Sequence, residues 1–123
     1  MASFKPSKLA IVSLYTGDIP STVHFYKEVI SLPLLQGHHH PIAFDIGGTY
    51  LVILPGDPPS SHEPDGPGFP LLTFEVDNLD EAVAYLQAHR VEILGSVNEN
   101  NNTRWVLFHD PAGNLIEFAE FGN

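Results

Sequence analysis

The 123-residue chain contains no cysteine. That absence removes disulfides, thiolate nucleophiles and cysteine-based zinc sites. Basic residues are scarce: five Lys plus Arg stand against fifteen Asp plus Glu, for a formal net charge of −10. Nucleic acid and anionic membrane surfaces both demand a basic footprint, so neither is an expected partner. A cationic ligand suits this charge, although acidity also serves plain solubility. No apolar run approaches the length of a membrane span, and the opening MASFKPSKLAIVSLY has no apolar core of a signal peptide. A cytoplasmic protein is the expectation. With 43% hydrophobic and 16% charged residues, what remains is an ordinary globular composition, enough for one domain with a modest core.

Along the chain, two halves follow one pattern. KLAIVSLY (8–15) is apolar and β-branched enough for a strand. TGDIPSTVHFYKEVI then predicts a helix with Pro20 in its first turn and an apolar face of Val23, Tyr26, Val29 and Ile30. PIAFDIGGTYLVIL (41–54) predicts two strands joined at Gly47 and Gly48, where a tight turn rather than a phosphate loop explains the glycines. Residues 55–68, PGDPPSSHEPDGPG, form a Pro- and Gly-rich linker with little to bury. The order then repeats. PLLTFEVDN is a strand, LDEAVAYLQAHR a helix with Leu79, Ala82, Val83 and Leu86 on one face, VEILGSV a strand, and TRWVLFHDPAGNLIEFAEF a hairpin. Superposing the halves lays Asp45 over Asp110, Gly48 over Gly113, Val52 over Glu117 and Ile11 over Leu71.

Three stretches carry a resemblance: VSLYTGDIPSTVHFYKEVISLPLL, LLTFEVDNLDEAVAYLQAHRVEI and DPAGNLIEF, together nearly the whole chain. They resemble the vicinal oxygen chelate superfamily, the glyoxalase, bleomycin-resistance and extradiol-dioxygenase group. Asp-Pro-x-Gly-Asn followed by a strand Glu is the most specific part, and Ser31 stands where the family usually has glycine. The resemblance implies an α+β fold in which two βαβββ modules, at about 8–54 and 69–121 of a single domain 1–123, form a cupped mixed sheet. It further implies a ligand inside the cup and a homodimer. In catalytic members a divalent metal is held from two positions per module, which fall here on Ile11, Val52, Leu71 and Glu117.

Those positions offer one carboxylate and three hydrocarbon side chains, and a divalent metal needs about three lone-pair donors. No metal and no cofactor are therefore expected. A non-standard site could add His40 or His109 to Glu117, but residue type without geometry is a weak signal. The run GHHHP (37–41) could be a metal tract but reads more readily as a polar strand edge or loop before Pro41. His24 and His89 fit a helix surface, His89 also the negative end of a helix dipole. His62 sits in the linker.

Strand alternation selects the cup lining, because residues of equal parity share a face. With Glu117 inward, Leu115 and Ala119 follow. Trp105, Leu107 and His109 join them if Leu107 lies across from Glu117. By the repeat, His40, Ile42, Phe44, Tyr50, Val52 and Leu54 are their counterparts, and the parallel strands add Ile11, Ser13, Leu71, Thr73 and Glu75. The candidate ligand-binding set is Phe44, Tyr50, Glu75, Trp105, Leu107, His109 and Glu117, with Glu117 the candidate catalytic group. Aromatic faces beside carboxylates favour a flat or cationic small molecule. Ser13 and Thr73 have no evident base, so nucleophilic catalysis is unsupported. Alternatively Glu117 is a carboxylate satisfied by Ser13, Thr73 or His109, in a cup that the aromatics fill. Three functions stay open: a metal-independent small-molecule binder of the bleomycin-resistance kind, a lyase, isomerase or dioxygenase using Glu117, and a regulatory domain with no cavity.

Overall fold

The computed structural model of the chain describes residues 6–35, 42–57 and 71–122. The histidine run with His40, and the linker with His62, lie outside the described residues. Two compact units divide after Asp57. Each carries a mixed sheet, one of three strands and one of four, giving the expected α+β class.

In the first unit β1 (Ile11–Thr16) is followed by helix α1 (Ile19–His24), a π-helical turn (Phe25–Val29), β2 (Ile42–Ile46) and β3 (Thr49–Pro55). The sheet order is β1-β3-β2, with β1 parallel and β2 antiparallel to β3. Asp18 caps α1 by accepting the Ser21 N–H at 3.2 Å, and Pro20 occupies the first turn, where no N–H is needed. The helix then widens, and the Ile30 N–H reaches the Phe25 carbonyl at 2.9 Å, five residues back. This shift corrects the expected stripe of Val23, Tyr26, Val29 and Ile30: the buried residues are Thr22, Phe25 and Tyr26. Phe25 and Tyr26 meet nearly perpendicular with ring centroids 5.2 Å apart. The Thr22 hydroxyl donates to Thr16 Oγ1 at 2.8 Å, tying the helix to the end of β1 through buried groups.

Three strands were expected after this helix. Before β2 the described chain supplies one antiparallel bridge, Leu34 to Phe44. It is framed by N–H donation from Asp45 to Pro33 and from Leu35 to Ala43, each at 3.0 Å.

The second unit runs β4 (Leu72–Glu75), α2 (Leu79–Ala88), β5 (Ile93–Asn100), β6 (Thr103–His109) and β7 (Leu115–Phe121), in sheet order β4-β7-β6-β5. Leu79 and Leu86 are fully buried on the predicted apolar face of α2, which packs on β6 and β7. Asn78 caps the helix through the Glu81 N–H at 3.0 Å, while the Leu79 N–H donates to Glu120 Oε1 at 2.8 Å. Across the same junction Arg104 Nη2 meets Asp80 Oδ1 at 2.9 Å. Val106, Phe108, Ile116 and Phe118 are the buried, even-numbered residues of β6 and β7. Their odd-numbered neighbours are left for the opposite face. Among the described residues no helix is long and apolar enough to cross a membrane.

Candidate functional site

The opposite face of the second sheet is organised by the turn Asp110–Asn114. Asp110, 3% exposed, accepts the N–H groups of Ala112 and Asn114 on Oδ1, both at 2.9 Å, and Asn114 Nδ2 on Oδ2 at 3.0 Å. The backbone closes with the Asp110 N–H to the Asn114 carbonyl at 2.9 Å. A turn fixed in this way fixes the register of the strands that leave it. Leu107 accordingly pairs with Glu117, Trp105 with Ala119, and His109 with Leu115.

On the other side of β7, parallel β4 places Thr73 beside Glu117 and Glu75 beside Ala119. Glu75, Trp105, Leu107, His109 and Glu117 therefore share one sheet face, as strand alternation predicts. All but the exposed Glu75 are half-buried. The Thr73 hydroxyl donates to Glu117 Oε1 at 2.7 Å. Of the three partners weighed for that carboxylate, Thr73 is the one this bond identifies. It is a charge-assisted bond of the short O–H···O⁻ class.

The first unit departs from expectation at one strand. β1 and β3 match the repeat: Ser13 pairs with Val52 as Thr73 pairs with Glu117, and Ile11 pairs with Tyr50. β2 does not. Ala43 lies opposite Val52 and Asp45 opposite Tyr50, so Phe44, opposite Leu51, points to the helix side. Phe44 is fully buried, its ring 6.2 Å from that of Tyr26. It belongs to the core and is withdrawn from the ligand-facing set.

The physical reason is one residue of turn length. The Ile46–Thr49 pair brackets two residues, Gly47 and Gly48, whereas the Asp110–Asn114 bond brackets three. Gly47 and Gly48, with φ of 59° and 96°, supply the left-handed pair that a two-residue hairpin requires. Losing one residue from the turn reverses the facing of the whole strand. Asp45 takes the place assigned to Phe44, beside the 42% exposed Tyr50. The double glycine was the signal that could have revealed it.

Ile11, Val52 and Leu71 bring no lone pair, and the partner of Glu117 is a hydroxyl rather than a second acid. These residues do not fit a divalent metal. Among the described residues no three His, Cys, Asp or Glu side chains gather as a metal-holding group. Ser13 and Thr73 are sheet-face hydroxyls, Thr73 spending its proton on Glu117.

A sequence profile described as the glyoxalase/bleomycin resistance protein/dioxygenase superfamily matches residues 8–118. The Escherichia coli (strain K12) protein YaeR is 33% identical over 120 residues, which span 89% of this chain and 92% of YaeR. A glyoxalase/dioxygenase from Nostoc punctiforme superposes with a TM-score of 0.80 at 20% identity, covering 100% of this chain and 99% of that one. TnmS3, an antibiotic binding protein from Streptomyces sp. CB03234, superposes with a TM-score of 0.76 at 24% identity, covering 98% and 100% respectively. Both structures share the fold.

Proposed function

Because the chain belongs to the glyoxalase/bleomycin resistance protein/dioxygenase superfamily, we propose that it is a metal-independent small-molecule binder whose ligand is flat and cationic. The observation that carries this reading is the Glu117 carboxylate, held by Thr73 on a face that also presents Trp105 and Leu107. A metal centre would consume that carboxylate's charge. With hydrocarbon at Ile11, Val52 and Leu71, the charge is left for a ligand. Trp105 is diagonal to Glu117 across β6 and β7, a separation of about 7–8 Å in such sheets, which suits a ring bearing a short cationic arm. TnmS3, named as an antibiotic binding protein, supports the same direction. The homodimer implied by the resemblance and the cytoplasmic location expected from the sequence belong to this proposal.

Titration with 2-naphthylmethylammonium and its neutral counterpart 2-naphthylmethanol tests it, with the sole tryptophan, Trp105, as fluorescent reporter. The ammonium compound is expected to bind with Kd below about 1 mM and at least tenfold tighter than the alcohol. Glu117→Gln should remove that preference. Equal affinity for the two compounds, or no binding of either, sinks the reading.

A second reading makes Glu117 the base of a lyase or isomerase, favoured by its half-buried position on a sheet face. It requires Glu117→Gln to abolish turnover while ligand affinity persists. A metal-dependent version would need metal in native, untagged protein and activity on its addition.

A further inference from the structure

The two oxygens of Glu117 are not equivalent. Oε1 accepts the Thr73 hydroxyl at 2.7 Å, from β4 on one side. On the other side, in register on β6, stands Leu107, which donates nothing. Oε2 meets no donor among the described residues. Thr73 is exposed on β4, a strand at the edge of the sheet, so its hydroxyl is not held there by burial.

We propose that Thr73 is a positioning residue that makes Glu117 a one-point acceptor, selecting a primary or secondary ammonium over a guanidinium or amidinium. The proposal rests on the ligand-binding reading of this face. An unrestrained Glu side chain samples many rotamers, and ordering it costs conformational freedom. The threonine bond fixes the carboxylate before a ligand arrives, so less of that cost falls on binding.

The same bond breaks the symmetry of the carboxylate. A guanidinium docks through two parallel N–H groups onto both oxygens at once. Thr73 crowds Oε1 and takes one of its lone pairs, while Oε2 keeps its acceptor capacity toward the described residues. An ammonium carries its charge at a single nitrogen with rotatable donors and loses nothing by meeting Oε2 alone.

The test uses 2-naphthylmethylammonium and 2-naphthylmethylguanidinium, titrated calorimetrically against the wild-type protein, Thr73→Val, Thr73→Ser and Glu117→Ala. Valine preserves the branched shape on an edge strand while deleting the donor. Wild type is expected to prefer the ammonium. Thr73→Val should weaken ammonium binding about five- to tenfold and reduce or reverse the preference, and Thr73→Ser should restore both. In the Glu117→Ala background Thr73→Val should change neither affinity, a non-additivity that a general structural role would not produce.

If neither compound binds wild type, the ligand-binding reading falls and this inference with it. If both bind through Glu117 but Thr73→Val leaves affinity and preference unchanged, the inference alone is overturned. A wild-type preference for the guanidinium overturns it as well.

Discussion

Asp110 and Asn114 close the β6–β7 hairpin twice over. The Asn114 N–H and Nδ2 groups donate to the two oxygens of the Asp110 carboxylate at 2.9 and 3.0 Å, while the Asp110 N–H returns to the Asn114 carbonyl. Both residues are buried, at 3% and 6% exposure, so neither can exchange its partner for water. Asp110→Ala strands several donors at once and should cost about 3 kcal/mol. Asn114→Ala should cost about 1–2 kcal/mol. Urea unfolding checks this: lowered midpoints with unchanged slopes are expected. A loss under about 1 kcal/mol for Asp110→Ala would show that the turn is held mainly by its backbone.

Both helices end on a left-handed residue that is not glycine. Ser31 has φ of 69° and Arg90 has φ of 63°. At Arg90 the paired bonds of the terminus are complete: the Arg90 N–H reaches Gln87 and the Val91 N–H reaches Leu86, at 3.0 and 2.9 Å. A side chain in this conformation costs about 1–2 kcal/mol, part of which glycine returns through its freedom in the unfolded chain. Ser31→Gly and Arg90→Gly should therefore each stabilise by about 0.5–1 kcal/mol. Denaturant titration of the two single variants and the double variant decides it. Additive gains are expected, and a loss at either position would remove the left-handed terminus as the explanation.

The Asp80–Arg104 pair ties the first turn of α2 to β6 at the surface. The Arg104 hydrogen bond first, and its charge second, hold the Asp80 carboxyl below its usual value of 3.8. A carboxyl lowered in the folded state stabilises above its unfolded value and loses that contribution as pH falls through the folded one. The coupling between the two residues should thus be present at neutral pH and gone in strong acid. It should also shrink with added salt, because both groups are solvent-screened. A double-mutant cycle of Asp80→Asn and Arg104→Gln, at neutral pH and at a pH well below 3.8, measures this. Coupling that survives acid would assign the attraction to packing.

What was legible in the sequence, and what was not, follows a physical line. Thr73 beside Glu117 was within reach, because parity along strands and the superposition of the halves place both on one face, and no tight hairpin turn sets the register of that parallel pair. The facing of β2 was out of reach by the same argument. It depends on counting turn residues, and Gly47–Gly48 is one residue shorter than its counterpart. The first helix departs from its pattern too. A 3.6-residue period also allows the face Thr22, Phe25 and Tyr26, which is the one buried. The π-helical turn over Phe25–Val29 interrupts the period before Val29 and Ile30, which stay half-buried. Local periodicity was reliable until a single residue was inserted or dropped. The backbone decides where that happens through hydrogen bonds that composition does not display.

The reversal of β2 makes Phe44 and Tyr50 separable by experiment. Phe44 is fully exposed to other side chains and not at all to solvent, with Tyr26 against its ring. Phe44→Ala should therefore cost about 3–5 kcal/mol, and Phe44→Leu about 1–1.5 kcal/mol. Tyr50, on the other side of the sheet and 42% exposed, should cost under about 1 kcal/mol when changed to Phe. The milder Phe44→Leu variant stays folded and allows binding to be read separately from stability. Its affinity for 2-naphthylmethylammonium should equal that of wild type, because the ring is fully buried in the core of the first unit. Were Phe44→Leu to weaken that affinity by more than its loss of stability explains, the assignment of the ring to the core alone would fall.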